Sequence, residues 1–441
     1  MSKANIDVIK DYISEKYILR YNVVSNQFEY LQKYESEKNK FYDKNLKQFD
    51  FKIIELNTDW KILNENNILI NLLSSHHKVS AAVLISLLKS DFVSKYNPFF
   101  DFFQSLPKWT NIDYISKLAN YIKLQDEKKD RERFNRMFKK MFVRSVACSL
   151  EIKLNKQAFI FVHPKQNSGK TTFLRWLVPS KLHDYYTENI GTDKDSLIAL
   201  TQNFIINLDE LSTLSKQDIN ALKSVMSKDN IKERVPYDRT PSMMKRRCNF
   251  VGSTNKNEFL SDETGNVRWL CFAIDEIIWN TDKTKPDYKR DIDIDLLWSQ
   301  AYHLLNTGFD FELTKYEILE NEIANKDFII LTPEMELIMQ YFDKSNENDN
   351  GAIFMTATEI QTELTKKIFG TVKLNSVNTG KALTILGFEK TSKTDKNKGF
   401  TIKGYYVKDK NNSLLNVENL KGYETIIDLE GNEVLQEKIP F

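Results

Sequence analysis

The chain has few of the residues that staple, ligate or anchor a protein. Its 441 residues include three cysteines, Cys148, Cys248 and Cys271, with no two at a short metal-ligand spacing. An odd, scattered set excludes a disulfide framework and fits a reducing compartment. Five histidines, His76, His77, His163, His183 and His303, form no ligand cluster, so no zinc site is expected. No run approaches the roughly 20 apolar residues of a membrane span, and the N-terminal stretch lacks the long apolar core of a secretory signal. A cytoplasmic protein with no membrane partner is expected. A strong charge bias is missing too. Net charge is +2 with 28% of residues charged, so any nucleic-acid surface must be local rather than global. The length suffices for two or three domains with real cores.

What the chain does have is Phe159-Ile-Phe-Val-His-Pro-Lys-Gln-Asn-Ser-Gly-Lys-Thr-Thr172. Phe159 to Val162 reads as a buried strand, Pro164 stops it, and Gly169-Lys170-Thr171-Thr172 opens the helical pattern Phe173 to Leu177. Strand, loop, Gly-Lys-Thr, helix is a layout that binds nucleotide phosphates. Loop N–H groups and the helix N-terminus face the anion, the lysine reaches the outer phosphates, and a hydroxyl holds magnesium. Lys165, Gln166, Asn167, Ser168, Gly169, Lys170, Thr171 and Thr172 are therefore candidate ATP contacts, and Thr171 a candidate Mg²⁺ ligand. One departure stands out. In the pattern G-x-x-x-x-G-K-[ST] the first glycine falls at Pro164, which fixes φ and has no N–H to offer. An eroded loop that does not hydrolyse stays open as the bland reading.

Downstream segments argue against erosion. Asn203-Phe-Ile-Ile-Asn-Leu-Asp-Glu210 is a second apolar strand ending in two carboxylates. Asp209 is placed to hold magnesium and Glu210 to polarise the attacking water. A third strand, Cys248-Asn-Phe-Val-Gly-Ser-Thr-Asn255, ends in Asn255, suited to position the γ-phosphate or the water. Gly265-Asn-Val-Arg268-Trp-Leu then isolates an arginine among small and apolar residues, a candidate arginine finger for a neighbouring subunit. Four parts in this order are far more specific than any one.

The block from Pro164 to Arg268 resembles a superfamily 3 helicase-type AAA+ ATPase. More narrowly, the chain resembles the virulence-associated protein E-like ATPases of phages and mobile elements, over roughly residues 65 to 305. Leu88-Lys-Ser-Asp-Phe-Val-Ser-Lys-Tyr-Asn-Pro98, Leu106-Pro-Lys-Trp109, Arg234-Val-Pro-Tyr-Asp-Arg239 and Phe250-Val-Gly-Ser-Thr-Asn255 carry that resemblance. It implies an ATP- and Mg²⁺-dependent DNA helicase or translocase in replication of such an element. It also implies a hexameric homo-oligomeric ring with single-stranded DNA in a central channel, and a separate primase or initiator as a further partner. Two rivals remain: a non-motor DNA-binding initiator that uses ATP to assemble, and an ATPase switch acting on proteins.

The expected fold class is α/β, a P-loop AAA+ (superfamily 3-like) ATPase core with appended domains. Residues 1–95 read as a small mixed N-terminal domain, with a hairpin signal at Ser25-Asn26; a structural or protein-contact role is favoured over a primase. Residues 96–155 read as a helical collar, 156–310 as the ATPase domain, 325–410 as a winged-helix-like domain and 411–441 as a tail. Asn375 to Leu386 would be the recognition helix of the winged unit, which could equally serve protein contacts. The most basic segment, Lys232 to Arg247, carries six basic and two acidic residues. Its prolines favour an ordered loop or hairpin. Lys232, Arg234, Arg239, Lys245 and Arg246, with Tyr237 for base stacking, are the candidate single-strand contacts. Arg246 or Arg247 could instead face the nucleotide, and a solvated charged loop is the bland alternative.

Overall fold

The computed structural model describes residues 6–35, 54–56, 59–165, 167–191, 193–211, 216–234, 241–260, 266–368, 372–394, 401–410, 423–427 and 433–437. They fall into two compact units, one built from Met1–Asn257 and Val267–Asn325, the other from Glu258–Asn266 and Lys326–Phe441.

The first unit begins with helix α1 (Ile6–Lys16) and the antiparallel strands β1 (Tyr17–Asn22) and β2 (Gln27–Glu35). The turn between them lies at Ser25-Asn26, where Asn26 takes a left-handed φ of 58°, a conformation asparagine tolerates. Strands β3 (Ile54–Leu56) and β4 (Lys61–Ile62) pair with β2. Helices α2 (Glu65–Ser74) and α3 (Ala81–Leu88) start at Asn64 and Ser80, whose side chains accept backbone N–H bonds. Strand β5 (Ser94–Tyr96) runs parallel to β1. Ile9, Ile13, Ile68, Leu72, Leu84 and Leu88 close a small apolar core.

The chain continues through α4 (Pro98–Ser105), α5 (Tyr114–Ala119), β6 (Ile122–Leu124), α6 (Glu127–Ser149), β7 (Ala158–Val162), α7 (Lys170–Trp176), β8 (Tyr186–Glu188), α8 (Lys194–Gln202) and β9 (Ile205–Leu208). Helix α9 (Lys216–Met226), the hairpin strands β10 (Asn230–Glu233) and β11 (Ser242–Lys245), β12 (Asn249–Thr254) and β13 (Trp269–Ile277) follow. Helices α10 (Tyr288–Asp291), α11 (Ile294–Asn306) and α12 (Lys315–Ala324) complete the unit. Among the described residues six strands form one sheet in the order β6-β13-β7-β12-β9-β8. All neighbours are parallel except the edge strand β6. Parallel strands with both faces covered read as continuous apolar runs, and β7, β9 and β12 are buried at every position. Gly252 is required at the sheet centre: a Cβ there would lie 2.7 Å from the Leu208 carbonyl oxygen.

A layer of aromatic side chains ties helices to sheet. Phe134 and Phe138 of α6 meet Phe159 at 5.8 and 5.6 Å between ring centres. Trp298 of α11 packs on Phe142 and Phe204 and donates its indole N–H to the Leu177 carbonyl at 2.9 Å. The reading of residues 96–155 as a helical collar needs one correction, because β6 lies among them. Three residues are too few to display a strand period, and Ile122 also fits the helical spacing that precedes it.

The second unit holds α13 (Pro333–Tyr341), β14 (Phe342–Lys344), β15 (Ile353–Met355), α14 (Ala357–Lys367), α15 (Ser376–Ile385), β16 (Lys390–Thr394) and β17 (Thr401–Asp409). Pro333 occupies the first turn of α13, and Thr356 with Glu359 forms a complete capping box on α14. Strand β17 pairs antiparallel with β14, β15 and β16. A further hairpin joins β18 (Tyr423–Ile427) to β19 (Glu433–Glu437).

Candidate functional site

The carboxyl ends of β7, β9 and β12 meet at a cleft of about 330 Å³ lined by Asn167, Ser168, Gly169, Lys170, Thr171, Thr172, Asp209, Glu210, Ser253 and Asn255. Three sequence segments far apart in the chain converge here because β7, β12 and β9 are adjacent and parallel, so their C-terminal ends share one edge. That edge is where open parallel sheets hold ligands.

Gly169 makes the turn from loop to α7 with φ at 81°, a left-handed conformation that costs glycine nothing sterically. The turn sends Lys170 inward. Its side chain is buried and its Nζ donates to Asn255 Oδ1 at 2.8 Å, Ser168 Oγ at 2.9 Å, and the carbonyls of Lys165 and His163 at 3.2 and 3.3 Å. All four acceptors are neutral, so the ammonium keeps its net charge for an anion in the cleft. Burial lowers the Lys170 pKa from its ordinary value, and the nearby Asp209 carboxylate works against that shift.

Asp209 is the second focus. Thr171 Oγ1 donates to its carboxylate at 3.1 and 3.2 Å, Ser253 Oγ donates to Oδ1, and its own N–H donates to Asn189 Oδ1 at 3.0 Å. A hydroxyl beside a fixed carboxylate is the oxygen donor pair that a hard divalent cation takes, and Thr171 and Asp209 fit Mg²⁺ in this way. Glu210 follows with φ at 52°, and Asn167 and Asn189 are also left-handed at 57° and 55°. Such conformations in non-glycine residues gather at ligand clamps.

Most sequence-predicted cleft residues thus come together: Asn167, Ser168, Gly169, Lys170, Thr171, Thr172, Asp209, Glu210 and Asn255. Lys165 is exposed on the loop and contributes its carbonyl to Lys170; Gln166 lies outside the described residues. Two residues escaped the sequence reading. Ser253 was legible, because strand alternation puts it on the face of Asn255. Asn189 carried no local signal, since only the β8–β9 pairing brings it beside Asp209.

Arg268 lies elsewhere. It immediately precedes β13, whose first residue Trp269 pairs with Ala158 at the start of β7. Five strand residues, roughly 17 Å, separate that end from the loop of its own chain. The Arg268 guanidinium donates to Ser227 Oγ at 3.0 and 3.1 Å.

The basic segment forms the β10–β11 hairpin, with Lys232 opposite Met243 and Asn230 opposite Lys245. Lys232, Arg234 and Lys245 are exposed, and Lys245 pairs with Asp229 at 3.2 Å. Tyr237 and Arg239 lie outside the described residues. Arg246 must be withdrawn from the nucleic-acid set. It is 2% exposed, donates to the Asn155 carbonyl and lies over the Phe250 ring, so it braces the start of β12. Arg247 is equally committed, to Glu151 and the Thr201 carbonyl. Both sit at the amino end of β12, away from the cleft, so neither faces the cleft of its own chain.

Sheet topology and cleft together define a mixed α/β protein with a lysine, four hydroxyls and two carboxylates gathered at the carboxyl edge of parallel strands. Residues 103–329, over half of the chain, match the virulence-associated protein E-like domain. The chain belongs to that family. No curated protein matches it. Solved structures that resemble it include the apo C-terminal region of NrS-1, at 13% identity and a TM-score of 0.49, covering 92% of this chain and 100% of that one. Another is SCCmec type IV Cch, titled an active helicase, at 10% identity and a TM-score of 0.37, covering 91% of this chain and 94% of that one.

Proposed function

We propose that the chain is an ATP-hydrolysing DNA translocase or helicase serving replication of a phage or mobile element, with a superfamily 3-type P-loop core. The observation that carries this reading is the meeting of Lys170, Thr171, Asp209, Glu210 and Asn255 in one polar cleft. Lys170 holds the outer phosphates and is itself held by Asn255. Thr171 and Asp209 take the magnesium ion, which supplies charge neutralisation on the phosphates. Glu210 orients the attacking water and accepts its proton, while Ser253 keeps Asp209 in place. Pro164 does not line the cleft, which supports the view that its missing N–H leaves the Lys170 end intact.

The hairpin that exposes Lys232 and Arg234 suits a single-stranded backbone. Three helices with an antiparallel sheet in the second unit support a winged-helix-like DNA-binding module with α15 as recognition helix. Placement of Arg268 at the sheet end opposite the cleft supports a ring in which each subunit completes its neighbour's site.

Phosphate release from ATP, measured with and without Mg²⁺ and single-stranded DNA, tests this reading. Wild type should turn over, and faster with DNA; Lys170→Ala should fall to background. Glu210→Gln should bind ATP but lose about 10²-fold or more in rate. Wild-type rates in either variant, or indifference to DNA, would contradict it.

A further inference from the structure

The cleft accounts for phosphates and leaves the rest of a nucleotide unplaced. Every described residue that lines it is polar or glycine, a surroundings suited to oxygen and metal but not to an aromatic base. An apolar face must therefore lie beside the cleft. Trp279 is such a face. The residue is 55% exposed, and its Nε1 lies 3.7 Å from where a Cβ on Gly169 would stand. The indole edge thus abuts the loop at Gly169 while the residue stays largely exposed to solvent.

The segment that carries Trp279 is anchored at both ends. Ile278, directly before it, donates its N–H to the Tyr121 carbonyl at 2.7 Å. At the far end Tyr288 packs against Phe173 and Trp176 of α7, with ring centres 5.1 and 4.9 Å apart. The segment therefore runs along the helix that presents Thr171 and Thr172. An exposed tryptophan held on a fixed backbone loses little freedom when a flat ligand covers it, and its indole offers a large rigid apolar face beside an otherwise polar cleft.

We propose that Trp279 is the platform on which the base of the bound nucleotide stacks. The inference rests on the nucleotide reading of the cleft. Stacking reads a π-face and not exocyclic groups, so the ligand class is a nucleoside triphosphate, with ATP and GTP held alike.

Calorimetric titration of the full chain with MgATP, MgGTP and magnesium tripolyphosphate tests it. Trp279→Ala should weaken ATP and GTP together by about 5-fold or more, the range of a lost base–aromatic stack, and leave tripolyphosphate affinity unchanged. Trp279→Phe, which keeps a ring, should retain most of the ATP affinity. Equal loss for ATP and tripolyphosphate, no loss for either, or a Phe variant as weak as Ala would overturn the stacking role. If wild type bound neither ATP nor tripolyphosphate, the phosphate reading of the cleft would fail instead.

Discussion

Lys170 owes its position to one glycine and its chemistry to four neutral acceptors. Burial pushes its pKa down and Asp209 only partly restores it, which sets two opposite pH dependences. In the unliganded protein the folded state binds fewer protons than the unfolded state between the lowered and the ordinary pKa, so this group's contribution to stability rises with pH there. A bound anion favours the charged form, so nucleotide affinity should fall across the same window, starting below the ordinary lysine value of about 10.4. ATP affinity measured from neutral pH to about pH 10 checks this; a flat curve would mean that the ammonium is not a ligand. The residue scale is also where the sequence was most legible. Gly169, Lys170, Thr171 and Asp209 have types that chemistry dictates. Trp279 and Asn189 were not legible, because an aromatic or an amide acquires its role only from what the fold sets beside it. Arg246 shows the reverse error: a basic neighbourhood in sequence hid a guanidinium buried against Asn155 and Phe250.

Elements were readable where they were long or capped. The β1–β2 hairpin, α13 and α14 carry turn or cap residues that announce them, whereas β6 is three residues long and exists because β13 offers an edge. Helix α6 opens with a mixed-charge stretch and continues as an amphipathic one. Its charged half is continuous helix whose partners arrive from α12: Arg136 bonds Glu317 and Glu320, and Lys140 bonds Glu317 at 2.9 Å with both side chains buried. Burial opposes ionisation of Glu317, but Lys140 and the Thr314 cap outweigh it and lower its pKa. Removing the carboxylate would leave the buried Lys140 ammonium without its anionic partner, with the Glu312 carbonyl at 2.6 Å. Glu317→Ala should therefore cost about 3 kcal/mol or more, seen as a lower denaturant midpoint at unchanged slope. A shift within about 0.5 kcal/mol would show that the pair adds nothing.

At the scale of the whole molecule, the residues of the proposed hydrolytic site are split between the two ends of a sheet. Lys170, Asp209 and Glu210 sit at the carboxyl edge, while Arg268 precedes the strand end that pairs with Ala158. A single chain cannot bring them together without dismantling β7 and β13, so the proposed ring makes the site a shared one. The sequence offered Arg268, isolated among small and apolar residues, as a candidate acting in trans; the parallel register of β7 and β13 is compatible with that proposal. The most direct test is to mix Arg268→Ala with Lys170→Ala protomers and follow phosphate release in co-assembled samples. Each variant alone should be inactive, since one lacks the neighbour's guanidinium and the other the phosphate-binding lysine. Random mixing restores a complete site at about a quarter of interfaces, and an arginine finger is worth about 10³-fold or more in rate, so the mixture should regain a clear fraction of wild-type turnover. A co-assembled mixture that stays inactive, or Arg268→Ala protomers that hydrolyse ATP alone, would contradict the shared site.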